Sequence, residues 1–185
     1  NNKIQVIHNG IETTMHFVKD KANTKNIFTI GFLGRFDTPK GVKILIDAVK
    51  YINSVSNYTD NFELHIAGDG PLENCLKDIS KDVDNIKFIG RVGNPYLFLS
   101  KVDLLVVPSI REPLGNVCLE AGLCKVAVIA SSIDGIPEII DDNFSGKLVV
   151  PKHKLDKSCF SKDSVAFPEV VYFPDCKKID IPLQI

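Results

Sequence analysis

Short apolar runs alternate with amphipathic helical patterns along most of this chain, and this alternation limits the fold more than any other feature. Runs such as 27–34, 103–109 and 126–131 are largely apolar on both faces of an extended chain. Segments between such runs, 40–55 for example, place apolar residues three or four positions apart, which is typical of a helix with one buried face. Strands of this kind that alternate with helices indicate βαβ units and a mostly parallel sheet.

We therefore predict an α/β fold over residues 27–151, in which a Rossmann-like parallel sheet is flanked by helices on both faces. Helix 71–82 is expected to begin at Pro71, because proline is favoured at the first position of a helix. Ligands of such sheets bind beyond the carboxyl ends of the strands, so site residues are sought there. The predicted strands are 27–34, 62–68, 85–90, 103–109, 126–131 and 146–150, and the predicted helices are 40–55, 71–82, 95–101, 114–124 and 137–140.

The two ends of the chain do not share this alternation. Residues 1–26 do not open on methionine and read as the middle of a longer protein, so we expect a linker that follows a missing N-terminal domain. Residues 152–185 contain three prolines and show no helical stripe, so we expect an atypical, mostly irregular tail with an edge strand near 169–173.

The charge balance and the metal-ligating residue types argue against several classes of function. The chain has 22 Lys and Arg against 23 Asp and Glu, which argues against nucleic-acid binding and leaves room for a local cationic pocket. The 5 cysteines include no Cys-x-x-Cys pair and the 4 histidines are scattered, so no metal site is expected. No apolar run reaches membrane-spanning length, and we expect a cytoplasmic protein.

The stretch 34–41, GRFDTPKG, places two cations at the carboxyl end of the first predicted strand. Arg35 ends the strand and Lys40 begins the helix, with Gly34 and Gly41 beside them. A guanidinium fork, an ammonium group and nearby backbone N–H groups are suited to clamp a diphosphate. Spacing alone leaves open the alternative that both side chains are solvated surface charges.

Two glycine-based phosphate motifs are absent from the sequence. The pair Gly68 and Gly70 does not complete a dinucleotide-binding fingerprint, because its third glycine would fall at Glu73. No GxxxxGK[ST] pattern occurs, so the sequence contains no P-loop.

The stretch 109–122, SIREPLGNVCLEAG, carries two carboxylates around the turn-forming residues Pro113 and Gly115. In a continuous helix Glu112 and Glu120 would lie about 12 Å apart, too far to bind one atom but suited to hold two ends of an extended ligand. The first N–H groups of the following helix attract anions. The alternative is a helix-start charge at Glu112 and an exposed charge at Glu120, although the apolar neighbours of Glu120 argue that its carboxylate needs a partner.

Taken together, these stretches resemble the C-terminal, donor-binding domain of the retaining GT-B enzymes of glycosyltransferase family 4. The segment VIHNGIE is also similar to the end of that family's interdomain linker. Each stretch alone indicates the family only weakly, whereas seven stretches in the family's order over about 27–151 are a specific signal. The seven stretches are GFLGRFDTPKG, LHIAGDGP, IKFIG, DLLVVPS, EPLGNVCLE with its E-x7-E, IASSIDGIPEII and GKLVV.

The resemblance implies roles for the residues at matching positions. Arg35 and Lys40, next to Gly34, would neutralise the diphosphate of a nucleotide sugar. Glu112 would lie beside the hydroxyls of the donor sugar as the catalytic carboxylate, and Glu120 would hold the ribose hydroxyls. The N–H groups that bind phosphate and sugar would come from Leu114, Gly115, Asn116 and Val117. The stretch 88–92, which begins with Phe88, Ile89 and Gly90, would form the wall where the base is recognised, largely by main chain.

The function implied is that of the donor-binding domain of a hexosyltransferase-type glycosyltransferase. The full-length enzyme would transfer a sugar, with retention, from a UDP-, GDP- or ADP-sugar to an acceptor held by the missing N-terminal domain, and the fragment alone would be inactive. The resemblance implies no cofactor beyond the donor and no metal, since protein cations would neutralise the diphosphate. Peripheral contact of the enzyme with the inner face of a membrane is a further expectation.

Two departures from the family pattern keep other functions open. Lys125, Val126 and Ala127 replace the usual Gly-x-Pro, and 152–185 does not resemble the family's long C-terminal helices. The alternative is a degenerate, non-catalytic module that binds nucleotide sugars or partners, which would bind nucleotide without transferring sugar. A third candidate, an epimerase or phosphorylase of the same fold, would form product without an added acceptor.

Overall fold

The computed structural model describes residues 7, 9–11, 27–55 and 62–151. Within these ranges, six parallel strands form one sheet, with helices in the connections. Two short 3₁₀ helices, Thr38–Lys40 and Ile136–Glu138, lie in loops. The strands are β1 (Phe28–Leu33), β2 (Phe62–Ala67), β3 (Ile86–Gly90), β4 (Leu104–Val107), β5 (Ala127–Ser131) and β6 (Lys147–Val149), and the helices are α1 (Val42–Val55), α2 (Glu73–Ser80), α3 (Pro95–Leu99) and α4 (Asn116–Leu123).

The sheet carries a hydrophobic core on each face. Phe32 of β1 and Leu64 of β2 pack with residues of α1 and α2 on one face. Leu105 of β4 packs with residues of α3 and α4 on the other face. Gly31 also points to that second face, where a Cβ would lie 2.9 Å from a methyl carbon of Val102. Helices therefore cover both faces, which is why the strands are apolar throughout.

The structure confirms the predicted α/β fold, and the bounds of each predicted strand move by at most two residues. Three helices, α1, α2 and α4, begin two residues after their predicted starts, at Val42, Glu73 and Asn116. Pro71 is therefore not the first helical residue of α2, and Leu72, which precedes the helix, has a φ of −89° and a ψ of 0°. The predicted helix 137–140 is the 3₁₀ helix Ile136–Glu138.

Several predictions concern parts of the chain that the structure does not describe. The predicted edge strand at 169–173, the tail 152–185 and all of the linker 1–26 except residues 7 and 9–11 lie outside the described residues. Among the residues that are described, no helix combines the length and apolar character needed to cross a membrane.

The strand order is β3-β2-β1-β4-β5-β6. The chain moves outward from β1 to β3 and then returns to place β4 on the other side of β1. This reversal opens a crevice between the carboxyl ends of β1 and β4, the usual position of a ligand in an open parallel sheet. The loops that carry Arg35 and Glu112 both begin at this crevice.

Candidate functional site

A cleft of about 490 Å³ opens at the carboxyl ends of β1 and β4. Its walls come from the ends of both strands, from the loops that follow them and from the first two turns of α4. The cleft therefore lies at the reversal of strand order, where a ligand site is expected. Nine of the predicted site residues line it, namely Gly34, Arg35, Lys40, Glu112, Leu114, Gly115, Asn116, Val117 and Glu120.

Most of the predicted base-recognition wall, 88–92, lies outside this cleft. The ring of Phe88 packs edge-on against Phe36, with centroids 6.0 Å apart, and the side chain of Ile89 is exposed. β2 separates β3 from β1, so the end of β3 lies one strand further from the reversal. Val92, the last residue of the predicted stretch, does line the cleft. The role assigned to residues 88–92 stays a prediction, and of this stretch only Val92, beyond the end of β3, reaches the cleft.

The two loops that carry the charged groups are held together by backbone contacts. The N–H groups of Ile110 and Arg111 both donate to the carbonyl oxygen of Pro39, at 2.7 and 3.2 Å. Gly41 has a φ of 67°, and a Cβ at this position would lie 2.0 Å from the carbonyl oxygen of Pro108. Only glycine allows this approach. The cations of the first loop are therefore fixed beside the carboxylate of the second.

Glu112 is buried, with only 6% of its surface exposed. Its Oε2 accepts hydrogen bonds from Lys40 Nζ at 2.5 Å and from Ser109 Oγ at 3.2 Å. Because α4 begins at Asn116, Glu112 lies in the preceding loop and not at the helix start. Its charge is compensated by Lys40 in a partly buried ion pair, which argues against the alternative of a solvated helix-start charge.

Arg35 is the more exposed of the two cations. Its side chain is 64% exposed, and its Nε lies 3.1 Å from Asp37 Oδ2. Burial raises the pKa of the Asp37 carboxyl, in opposition to the nearby charges of Arg35 and Lys40. Asp37 Oδ1 is buried and has no hydrogen-bond partner among the described residues. Arg35 and Lys40, the two cations that line the cleft, are thus each paired with a carboxylate of this chain.

Glu120 faces the cleft from the second turn of α4. Burial raises the pKa of its carboxyl, and no other described residue forms a hydrogen bond or an ion pair with it. The thiol of Cys118, on the same helix, has its pKa raised to about 12, chiefly by burial and then by the charge of Glu112. A partly buried carboxylate without a protein partner is suited to accept hydrogen bonds from a ligand.

The start of α4 contributes backbone donors to the cleft. Gly115 precedes the helix in a left-handed conformation, with φ 93°, and its helix has no side-chain cap. The N–H groups of Asn116 and Val117 have no carbonyl of a preceding turn to bind. Both residues line the cleft, so the positive end of the helix dipole faces the space between the cations and Glu120.

The site as a whole can bind an anion and several hydroxyl groups. Cations and helix N–H groups attract a phosphate, and the two carboxylates accept hydrogen bonds from hydroxyls. Within the described residues, no group of three or more His, Cys, Asp and Glu is placed to hold a metal ion.

Three polar residues around the cleft were not singled out by sequence reasoning, namely Ser109, Asp37 and Asp134. Ser109 binds Glu112, Asp37 binds Arg35, and Asp134 Oδ2 accepts from the backbone N–H of Glu112 at 2.9 Å. The only local signal was that each lies in a loop after a strand end. Asp37 and Ser109 bind residues of their own loops, whereas the partner of Asp134 depends on which loops the fold brings together.

Residues 27–160 match the model of the family described as Glycosyl transferases group 1. That range contains every residue that lines the cleft except Asn9. The chain belongs to the glycosyl transferases group 1 family. MJ1178 of Methanocaldococcus jannaschii, an uncharacterized glycosyltransferase, is 32% identical over 152 residues, which cover 80% of this chain and 39% of that protein. Three curated relatives match over only 39–42% of their own length.

Solved structures place this group 1 domain among GT-B glycosyltransferases. The C-terminal domain of the group 1 protein LpcC from Francisella tularensis has a TM-score of 0.64 and 26% identity, and the match covers 78% of this chain and 82% of that one. Anabaena Alr3699/HepE in complex with UDP-glucose has a TM-score of 0.60 and 25% identity, over 70% of this chain and 36% of that one. The resemblance to a C-terminal GT-B domain is confirmed, and membership of glycosyltransferase family 4 stays a prediction.

Proposed function

We propose that this group 1 domain binds a nucleotide diphosphate-sugar as the donor of a sugar transfer. In the full-length enzyme the sugar would pass, with retention of anomeric configuration, to an acceptor held by an N-terminal domain. One observation carries the proposal: a single cleft at the strand-order reversal combines two cations, a helix start and two carboxylates. The chain spans 39–42% of the length of three relatives, which supports a second domain in the whole protein.

The cationic end of the cleft would hold the diphosphate. When the glycosidic bond breaks, negative charge develops on the departing diphosphate, and fixed cations and N–H groups stabilise that charge. Arg35 supplies an exposed guanidinium, and Lys40 an ammonium group that is partly shielded from solvent. These protein groups would neutralise the donor without a metal, and we propose no cofactor besides the donor itself.

The two carboxylates would hold the sugar and the ribose. Glu112, beside the donor sugar, would act as the catalytic carboxylate, because a negative charge there stabilises the positive charge that develops on the sugar ring. The carboxylate of Glu120 has no partner among the described residues, so its oxygens can accept hydrogen bonds from both ribose hydroxyls. Lys40 binds Glu112, so one ion pair joins the phosphate end to the sugar end.

The similar Anabaena structure, which holds UDP-glucose, makes this the first donor to test. A glucose donor would make the enzyme a hexosyltransferase. Main-chain recognition of the base leaves little trace in side chains, so GDP- and ADP-sugars belong in the same test. Contact of the full-length enzyme with a membrane surface stays a prediction.

The proposal is tested by titrating the 185-residue chain with UDP-glucose, GDP-mannose and ADP-glucose in a calorimeter. We expect saturable binding of one of them, and a loss of affinity of at least about 100-fold in the Arg35→Ala/Lys40→Ala variant, since both charge-assisted contacts to the diphosphate disappear. Thermal unfolding of the variant shows whether it is still folded at the temperature of the titration.

A matched control is Lys81→Ala/Lys101→Ala, which removes the same charge from two exposed positions outside the cleft. This control should bind like the wild type. Absence of binding by all three sugars, or equal losses in the two double variants, would contradict the proposal.

The alternative of a non-catalytic module receives no support from the loop at Lys125. The N–H groups of Lys125 and Val126 donate to the carbonyl oxygens of Gly122 and Ala121, at 3.0 and 2.9 Å, and Lys125 has a φ of 57°. These are the two bonds of a Schellman helix end. Although Lys125 departs from the usual Gly-x-Pro, α4 therefore ends in a regular way, and Glu120 still lines the cleft. Nucleotide binding by a full-length protein that transfers no sugar would favour the module.

A further inference from the structure

Asp134 lies in the loop after β5 and binds the loop of Glu112 through one oxygen. Its Oδ2 accepts from the backbone N–H of Glu112 at 2.9 Å and from Arg111 Nε at 2.9 Å. The next residue, Gly135, donates its N–H to the carbonyl oxygen of Glu112 at 3.2 Å. Two consecutive residues of one loop therefore hold both backbone polar groups of Glu112, whereas Lys40 and Ser109 hold its side chain.

The backbones of the two loops approach each other closely at this contact. Gly135 admits no side chain, since a Cβ would lie 2.2 Å from the carbonyl oxygen of Pro113. Asp134 has a φ of 43°, a left-handed conformation that favours glycine. Aspartate and asparagine tolerate this conformation better than other side chains, but the turn alone does not require a carboxylate. The bonds that Oδ2 accepts are therefore what sets Asp134 apart from a glycine at this position.

We propose that Asp134 is a positioning residue, which fixes the backbone of Glu112 and so aims the Glu112 carboxylate at the donor sugar. This inference rests on the proposed function, in which Glu112 lies beside that sugar. A charged group contacts a ligand well when its position is held by its surroundings, because small displacements in a site weaken its contacts strongly. Asp134 supplies the backbone half of that support from an element outside the cleft wall.

Two substitutions separate the hydrogen bond from the turn. Asp134→Gly keeps the left-handed backbone and removes the acceptor, whereas Asp134→Asn keeps an oxygen acceptor and tolerates the same φ. Both present bonds end on Oδ2, so the single carbonyl oxygen of asparagine can take over both. Asp134→Asn is thus the matched control for Asp134→Gly.

The experiment measures the dissociation constants of each 185-residue variant for three pairs of ligands: UDP-glucose and UDP, GDP-mannose and GDP, and ADP-glucose and ADP. For the pair that the wild type binds, we expect Asp134→Gly to weaken the sugar nucleotide about tenfold and the diphosphate less than about threefold. Asp134→Asn should stay within about threefold of the wild type for both ligands. The change in the ratio of the two constants is the deciding quantity, because general loosening of the fold would weaken both ligands alike.

Two outcomes would overturn the inference and leave the proposed function intact: Asp134→Gly binds both ligands like the wild type, or it loses equal affinity for both. If Asp134→Asn behaves like Asp134→Gly, the acceptor oxygen is not what matters and the inference is also overturned. If the wild type binds none of the ligands, the proposed function itself fails and the inference fails with it.

Discussion

Glu112 and Glu120 are the same residue type, line the same cleft and differ in how the fold supports them. Glu112 lies in a loop, is 6% exposed and is bound by Lys40, Ser109 and the loop after β5. Glu120 lies on α4, and burial raises the pKa of its carboxyl while no described residue compensates its charge.

The difference teaches that the two charges affect stability with opposite signs. Lys40 compensates the charge of Glu112, so removing Lys40 leaves a buried carboxylate whose desolvation cost is not offset. The charge of Glu120 is uncompensated, so removing it relieves a cost that a bound ligand would otherwise offset. The following substitutions test that contrast, from the largest expected effect to the smallest.

Gly135→Ala should break the support of Glu112 most strongly. The new methyl group would lie 2.2 Å from the carbonyl oxygen of Pro113, so the two loops must separate. We expect a loss of about 3 kcal/mol in the free energy of unfolding, measured by urea denaturation. Gly122→Ala is the control on the helix of Glu120, because a Cβ there meets no atom within 4 Å. This control should raise the free energy of unfolding by about 0.5–1 kcal/mol. A decrease instead would contradict the contrast between the supports of Glu112 and Glu120.

Lys40→Met should destabilise the chain by about 2 kcal/mol, because it leaves the buried Glu112 carboxylate without its cation. Lys77→Met is the control: it breaks a more exposed ion pair, 2.7 Å long, with Glu73, four residues earlier on α2. That i,i+4 pair should be worth no more than about 0.5 kcal/mol. Equal losses in urea denaturation would mean that the burial of Glu112 adds nothing to the pair.

Glu120→Gln should stabilise the chain by about 1 kcal/mol at pH 7 while it weakens donor binding. Because burial raises the pKa of Glu120, the folded state holds its proton more tightly than the unfolded state. The stability of the wild type therefore falls as pH rises through the folded pKa, and glutamine does not titrate. The advantage of the variant should be full above that pKa and vanish as pH falls below the ordinary value of 4.5.

Urea denaturation at several pH values measures this difference. Glu73→Gln is the control, since Glu73 is paired with Lys77 on the surface of α2 and should show no such gain. If the Glu120→Gln variant is less stable than the wild type at pH 7, the charge of Glu120 stabilises the fold, and the expected sign of its effect is wrong.

Lys125→Gly should give the smallest effect, a gain of about 0.5–1 kcal/mol in the free energy of unfolding. Lys125 ends the helix of Glu120 at a φ of 57°, where glycine is under no strain. Lys81→Gly, at the end of α2 with a φ of −58°, should instead lose stability. Thermal unfolding resolves both changes, and a loss at 125 would mean that its side chain makes contacts that outweigh the strain.

The elements of this fold could be predicted because each depends on neighbours in sequence. The apolar run 103–109 and the helical spacing of 40–55 require no knowledge of distant contacts, and both elements lie within two residues of their predicted bounds. The meeting of Arg35, Lys40 and Glu112 also followed from a general rule, since parallel strands bring their carboxyl ends to one edge. For the same reason the order of motifs along the chain was enough to indicate the family.

The partners within the site could not be predicted in the same way. Lys40 and Glu112 are 72 residues apart, and Glu112 and Asp134 are 22 residues apart, so their contacts depend on which loops the strand order makes neighbours. The expectation for Phe88 depended on the same order, and β2 keeps the end of β3 away from the cleft.

By itself, the sequence determined the succession of strands and helices, the parallel sheet and the edge at which charged residues gather, because these follow from local periodicity and from the chirality of βαβ connections. Only the tertiary structure decided that Lys40 compensates Glu112, that Glu120 faces the cleft uncompensated and that Asp134 holds the backbone of Glu112. Those outcomes depend on burial and on distances between loops, and both arise only when the sheet has assembled.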